Sequence, residues 1–289
     1  MASEQGPQLP EGAAYARHRP EHTLLYQIVE ENYPTFRDLL ERQGRPLPSY
    51  VAREFDDFLR CGRLEHGFLR VRCDCCHHEK LVAFSCKRRG FCPSCGARRM
   101  AESAALLVDD VFPKRPVRQW VLSVPFPLRF LFANHPTIMG QVLRIVYRAI
   151  ATYLCHKAGF KRAAAQTGAV TLIQRFGSAL NLNIHFHMLF LDGVYIQPTE
   201  GTLRFRQIAP PTVEELQTLL HRITHRVACY LERQGLLERD VENSYLALEQ
   251  CDEDVDAMPD LYGHSITYRI ALGAQRGKKV FTLQTFPPH

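Results

Sequence analysis

The 289-residue sequence contains no run of about 18 apolar residues, the length a membrane-crossing helix needs. The stretch that comes nearest, residues 120–133, is interrupted by Pro125, Pro127 and Arg129. A helical membrane span is therefore excluded, and no membrane partner is expected. The N-terminus lacks a basic start followed by an apolar core, so it does not read as a secretory signal and a cytoplasmic protein is expected. No internal repeat is present. No glutamate stands beside the histidines in the His-Glu-x-x-His arrangement, which weakens any reading as a zinc hydrolase.

What is present is an ordinary soluble composition with two concentrations of chemistry. Hydrophobic residues make up 46% and charged residues 23% of the chain, enough for a sizeable core in one large domain or two modest ones. The net charge of +6 is unevenly spread: residues 60–118 hold 13 Lys and Arg against 6 Asp and Glu, and the remainder is nearly neutral. A basic segment of this kind favours a polyanionic partner, although a plain solvated surface would look the same by charge alone. Seven of the ten cysteines fall between positions 61 and 95. A secreted disulfide scaffold would be shorter and more evenly supplied, so the cluster points to metal.

Residues 1–19 read as a disordered tail, 20–113 as a helical and zinc-binding domain, and 117–289 as a second, catalytic-type domain. In the first domain, Leu24, Leu25, Ile28 and Val29 share a helical face that Pro34 is expected to interrupt. Phe36, Leu39 and Leu40 form a second short helix, and Ser49 caps a third. Another helix is expected over 97–112. In the second domain, 117–124 and 168–176 read as strands, 135–159 as a long helix, 184–195 as a strong strand, 213–233 as a helix, 251–260 as an acidic loop and 266–285 as a hairpin. The fold class is α+β, with N-terminal helices and a zinc ribbon followed by an antiparallel sheet.

Cys73 and Cys76 form one C-x-x-C pair and Cys92 and Cys95 another. Two such pairs can close a thiolate tetrahedron around a structural Zn²⁺, and their separation falls in the zinc-ribbon range. A redox dithiol is the alternative. Cys61, Cys75 and Cys86 are left over: Cys61 and Cys86, with one of His66, His77 and His78, form a second zinc set, or the three are small buried residues or alternative ligands. Lys87, Arg88, Arg89, Arg98 and Arg99 flank the second pair and are candidates for DNA phosphate contact.

His185 and His187 flank Phe186 in an apolar strand, so both imidazoles project from one face and can share a metal. If 168–176 and 184–195 pair as a hairpin, Gln174 lies nearly opposite His185 and can add an amide oxygen. A slip of one residue would turn it away. Two imidazoles and an oxygen suit Mn²⁺, or Mg²⁺ when phosphate completes the shell.

The combination of Cys61-Gly, Cys73-x-x-Cys76, Phe84-Ser-Cys-Lys-x-Arg89, Cys92-Pro-Ser-Cys95 and Arg98-Arg99-Met100 resembles the transposase zinc-binding domain. Trp120-Val-Leu-Ser-Val-Pro125 and the His185/His187 strand are similar to the HUH (His-hydrophobe-His) endonuclease domain that follows it in rolling-circle insertion-sequence transposases. The resemblance runs from about residue 24 onward. It implies binding of single-stranded or hairpin DNA at element ends, and metal-assisted attack by a tyrosine hydroxyl. A 5′-phosphotyrosine forms, a 3′-hydroxyl is released, and strand transfer reverses the step without ATP. In the family the tyrosine lies on a helix beyond the histidine strand. Tyr230, Tyr245, Tyr262 and Tyr268 are candidates, with Tyr230 foremost because it sits on an expected helix. No segment after Lys279 reads as the family's tyrosine helix, so the chain is expected to stop before its nucleophile. The competing readings are a rolling-circle replication initiator or relaxase, and a zinc-dependent DNA-binding protein without catalysis.

Overall fold

A computed structural model describes residues 17–88, 90–177, 181–196, 202–239, 244–246 and 256–280. The chain forms two compact units, Met1–Phe112 and Pro113–His289. No helix among the described residues is long and apolar enough to cross a membrane.

The first unit opens with helix α1 (Leu24–Arg42), whose N-cap Thr23 accepts the Tyr26 amide through its side chain. The helix runs unbroken through Pro34, contrary to the expected interruption. Pro34 lies on the solvent face, where water can serve the carbonyl left without a partner. Val29, Tyr33 and Leu40 keep one buried stripe on both sides of it. Helix α2 (Ser49–Arg60) starts at Ser49 after Pro48, with no side-chain cap, so Ser49 is the first helical residue and not the cap. An aromatic cluster ties the two helices together: Tyr33 stacks on Phe55 at 4.5 Å, and Phe91 meets Phe55 at 5.0 Å and Phe58 at 4.8 Å. Strands β1 (Phe68–Arg72) and β2 (Glu79–Ala83) form an isolated antiparallel hairpin. Helix α3 (Pro93–Leu106) begins four residues before the expected start, inside the Cys92-Pro-Ser-Cys95 turn, with Pro93 at its first position. A wider π-type turn, Leu107–Val111, ends it.

The second unit is built on a three-stranded antiparallel sheet of β3 (Val117–Ser123), β5 (Ala169–Phe176) and β6 (Leu182–Leu191), with β6 in the centre. Strand β6 alternates strictly over its first eight residues. Ile184, Phe186, Met188 and Phe190 are buried, and the residues between them are half-buried on the opposite face. Helices α4 (Phe126–Asn134) and α5 (Pro136–Lys157) contribute Leu131, Phe132, Val142, Val146 and Ile150 to the core on the buried side. α4 was not legible in the sequence, because Pro125 and Pro127 read as breakers. They stand at its cap and first turn, where proline costs little.

The strand expected over 184–195 divides at Asp192 into β6 and β7 (Gly193–Ile196). β7 leaves for a second small sheet with β4 (Ala165–Gln166) and β8 (Arg204–Gln207). Arg118 grips Asp192 at that corner through two hydrogen bonds of 2.8 and 2.6 Å. Helix α6 (Val213–Arg233) starts with a reciprocal capping box between Thr212 and Glu215 and packs Leu219, Ile223, Val227 and Leu231 into the core. A short pair, β9 (Leu237–Arg239) with β10 (Ser244–Leu246), and helix α7 (Met258–Ile266) follow. Of the expected terminal hairpin over 266–285, the described residues form one antiparallel bridge, Arg269–Lys279; α7 takes its first residue, and 281–285 lie outside the described residues. Half of the expected acidic loop, 251–255, lies outside the described residues, and its last three positions, 258–260, are the start of α7 instead of loop.

Phe190 is fully buried, stacked on Tyr147 at 5.5 Å and edge-on to Trp120 at 6.4 Å. Phe190→Ala is expected to destabilise this unit by about 3–5 kcal/mol, as large-to-small core substitutions do. Urea unfolding followed by Trp120 fluorescence checks it, and a cost below about 1 kcal/mol would contradict the packing described.

Candidate metal centres and family

Two sites emerge, one in each unit. In the first unit, Cys61 caps the C-terminus of α2, Cys86 lies in the loop after β2, and Cys92 and Cys95 frame the first turn of α3. Their four sulfurs all lie within 4.8 Å of one another. Cys61 and Cys95 are 3.7 Å apart, Cys86 and Cys95 3.5 Å, and Cys61 and Cys92 3.7 Å. A tetrahedral zinc with Zn–S bonds of about 2.3 Å requires sulfurs about 3.8 Å apart, so these four thiols fit the ion. The hydrogen bond between Cys92 and Cys61, with the Cys95 amide, holds the Cys92 thiol down at about 5. The same bond with Cys92, together with burial, pushes Cys61 up, and burial pushes Cys86 up to about 12. Zinc binding would displace the thiol protons.

The expected ligand set is split. Cys92 and Cys95 are gathered with Cys61 and Cys86, whereas Cys73 and Cys76 stand exposed at the tip of the β1–β2 hairpin. Strand geometry explains this. Five residue pairs separate the tip from the base, about 17 Å at 3.4 Å per residue. The base is pinned beside Cys61 by Gly62 N–H to the Phe84 carbonyl (2.8 Å) and Phe84 N–H to the Gly67 carbonyl (3.0 Å). The sequence spacing of the two pairs is right for a ribbon, but the intervening strand carries one pair away from the other.

Of the five basic residues expected to meet DNA, Lys87 and Arg98 are exposed. Arg88 is held by Asp57 (Nε to Oδ2, 2.6 Å), and Arg99 donates to the Lys87 carbonyl. Arg89 lies outside the described residues.

In the second unit, His185 and His187 project from one face of β6, with ring centroids 5.0 Å apart. The register places Ser123 and Gln174 on either side of His185, and Val121 and Leu172 on either side of His187. Gln174 thus stands on the expected face. Its amide N–H donates to the Phe176 carbonyl (3.1 Å), which leaves its oxygen as the ligand atom. Val121 (56%) and Leu172 (50%) remain exposed, so among the described residues this face is open.

The His185 tautomer suits a metal. His185 donates its Nδ1–H to the Asn183 carbonyl (2.7 Å), which leaves Nε2 as a lone-pair atom. The Gln119 amide nitrogen stands 2.6 Å from His187 Nδ1; with that amide turned so that its oxygen faces the ring, His187 donates Nδ1–H to it and takes the same tautomer as His185. His187 Nε2 is then a buried acceptor with no hydrogen-bond partner among the described residues. An orphaned imidazole nitrogen beside a second lone pair fits a divalent cation.

Gln119 was invisible in the sequence, because its place beside His187 depends on β3 pairing with β6 across about 70 residues of chain. Gln119→Ala is expected to lower Mn²⁺ affinity at this site about 10- to 100-fold. Titration calorimetry tests it, and an unchanged affinity would remove Gln119 from the site.

Tyr230 lies on α6, partly buried and packed against the core that includes Phe186 and Phe190. By the alternation of β6 this is the face opposite the imidazoles. The structure therefore does not bring Tyr230 to the histidines.

Residues 28–124 match the transposase zinc-binding domain of the IS91 type, and residues 168–274 match the Y2_Tnp transposase family. The chain belongs to the insertion-sequence transposases. In this transposase the first matched segment contains all four sulfurs of the buried cluster and extends through Gln119, and the second contains Gln174, His185 and His187. No curated protein matches the chain.

Proposed function

We propose that this transposase nicks and rejoins single-stranded or hairpin DNA at element ends, using a divalent ion on the open face of the β3–β6–β5 sheet. The observation that carries the reading is the pair of imidazoles on one face, with the His185 tautomer fixed by Asn183 and His187 Nε2 without a hydrogen-bond partner among the described residues. His185, His187 and the Gln174 oxygen would hold Mg²⁺ or Mn²⁺ there. When bound, the ion supplies Lewis-acid polarisation of a phosphodiester oxygen. Asn183 and Gln119 fix the rings so that little reorganisation accompanies the reaction.

A tyrosine oxygen attacks the phosphorus and forms a 5′-phosphotyrosine ester. The bond to the 3′-oxygen breaks and a 3′-hydroxyl departs with the proton; reversal at a target joins the strands. Exposed Lys87 and Arg98 supply cations for the DNA backbone.

The test uses element-end single-stranded DNA with Mn²⁺ and looks for a covalent protein–DNA species on a denaturing gel. A band lost in His185→Ala supports the reading, and its peptide map names the attacking tyrosine. DNA binding with no adduct would favour a recognition protein without catalysis.

A further inference from the structure

The small sheet of β4, β7 and β8 has two unlike faces. On one, Val194 is fully buried and Ile196 packs with it against the core of the second unit. Tyr195, between them on β7, turns to the other face, where it stands opposite Phe205 of β8 and Gln166 of β4. The Tyr195 and Phe205 rings meet edge to face with centroids 5.2 Å apart, and the Arg115 guanidinium lies over the Phe205 ring at 5.4 Å. Neither ring belongs to the core cluster of the described residues, and both are half-buried, while Arg115, Gln166 and Gln207 around them are exposed. Gly193 lets the Phe205 ring lie against the strand, because a Cβ there would come within 2.5 Å of it. Backbone hydrogen bonds hold the parts in place: Asp192 N–H donates to the Pro116 carbonyl (2.8 Å) and Ile208 N–H to the Asp192 carbonyl (3.1 Å).

The charge around this sheet is one-sided. Between residues 111 and 199 the chain carries ten Lys and Arg and a single acid, Asp192. Arg118 takes that carboxylate through both its oxygens. Lys161 and Arg162 before β4, and Arg204 on β8, are exposed cations beside the aromatic pair in sequence. Rings the core does not use, with guanidinium groups on and around them, fit a partner that is flat and anionic at once. Single-stranded DNA is such a partner: its bases stack on aromatic rings and guanidinium planes, and its phosphates meet the cations. In a duplex the bases are stacked on one another and out of reach.

We propose that Tyr195, Phe205 and Arg115 form a stacking platform for single-stranded DNA, separate from the face that carries the histidines. The platform lies past the Asp192 corner, and Leu191 alone is four residues, about 14 Å, beyond His187 along β6. It rests on the reading that single-stranded DNA is the substrate, and adds where the strand flanking the nicked phosphate is held.

The test measures binding of labelled oligothymidylate, and of a duplex of equal length, to the full zinc-loaded chain by fluorescence anisotropy. Tyr195→Leu combined with Phe205→Leu keeps apolar side chains at both places and removes both aromatic faces. Single-strand affinity is expected to fall about 10- to 100-fold, the worth of a stacked base, with duplex affinity unchanged. Arg115→Gln should in addition flatten the salt dependence of single-strand binding. The unaltered chain gives a readout free of folding effects: an oligonucleotide carrying 5-iodouracil should crosslink, on irradiation, to peptides that hold Tyr195 or Phe205. Parental single-strand affinity in the double variant, or crosslinks confined to other peptides, would overturn the platform and leave the nicking reading standing. Selective loss of single-strand affinity in a chain that never forms a covalent adduct would support the platform and remove the nicking reading. An unaltered chain that prefers duplex would overturn both.

Discussion

Replacing either His185 or His187 with alanine is expected to lower adduct formation about a thousandfold while leaving the fold intact. The size follows from the charge stabilisation a bound ion supplies, several kcal/mol, with each 1.36 kcal/mol worth a factor of ten. The fold should survive because the imidazoles lie on the open face, and the core is carried by Ile184, Phe186, Met188 and Phe190. Removing His187 also removes a buried nitrogen that has no hydrogen-bond partner among the described residues, so the variant is expected to be no less stable than the parent. Rates of adduct formation at saturating Mn²⁺, with thermal melting as the control, separate the two effects. A His187→Ala chain that nicks at the parental rate would place the chemistry elsewhere.

Stripping zinc from the buried cluster is expected to unfold residues 17–112 and spare the second unit. Cys61, Cys92 and Cys95 are three of the seven buried residues in the core of the first unit. Its remaining buried members are Tyr26, Val29, Tyr33 and Phe58. Structural zinc contributes apparent binding energies of about 10–16 kcal/mol, as much as the whole stability of an ordinary domain. Cys95→Ser should act like a chelator, because Cys95 lies against both Cys61 and Cys86. Hydrogen exchange reports the outcome by segment. Protection should vanish from α1, α2 and α3 and persist in α5 and β6. Retained protection in α1 after complete metal removal would show that the aromatic cluster suffices alone.

The sequence carried the second site further than the first, and the reason lies in contact range. The alternation that exposes His185 and His187 is a property of one strand. The pairing of Gln174 with His185 belongs to a hairpin whose arms are adjacent in the chain. Both are local, so patterning was enough to read them. Gln119 meets His187 only because β3, laid down before α4 and α5, returns to the far edge of β6. No periodicity encodes that return. For the buried cluster, spacing identified the Cys92-x-x-Cys95 turn but misassigned its partners. Whether the residues between two C-x-x-C pairs fold back or extend is decided by β1 and β2, and the extended hairpin carried Cys73 and Cys76 outward. Local rules failed in the same way at Pro34, whose cost was outweighed by a continuous buried stripe, and at Pro125 and Pro127, which begin a helix instead of preventing one.

The two faces of β6 carry different burdens on a single reading frame of side chains. Loss or gain of one codon between Ile184 and Phe190 would send the phenylalanines to water and the imidazoles into the core. Lineages of this element can therefore vary the strand by substitution but not by length. A copy with an indel there loses its core and its chemistry in the same event, and leaves no folded, inactive intermediate for later mutation to repair.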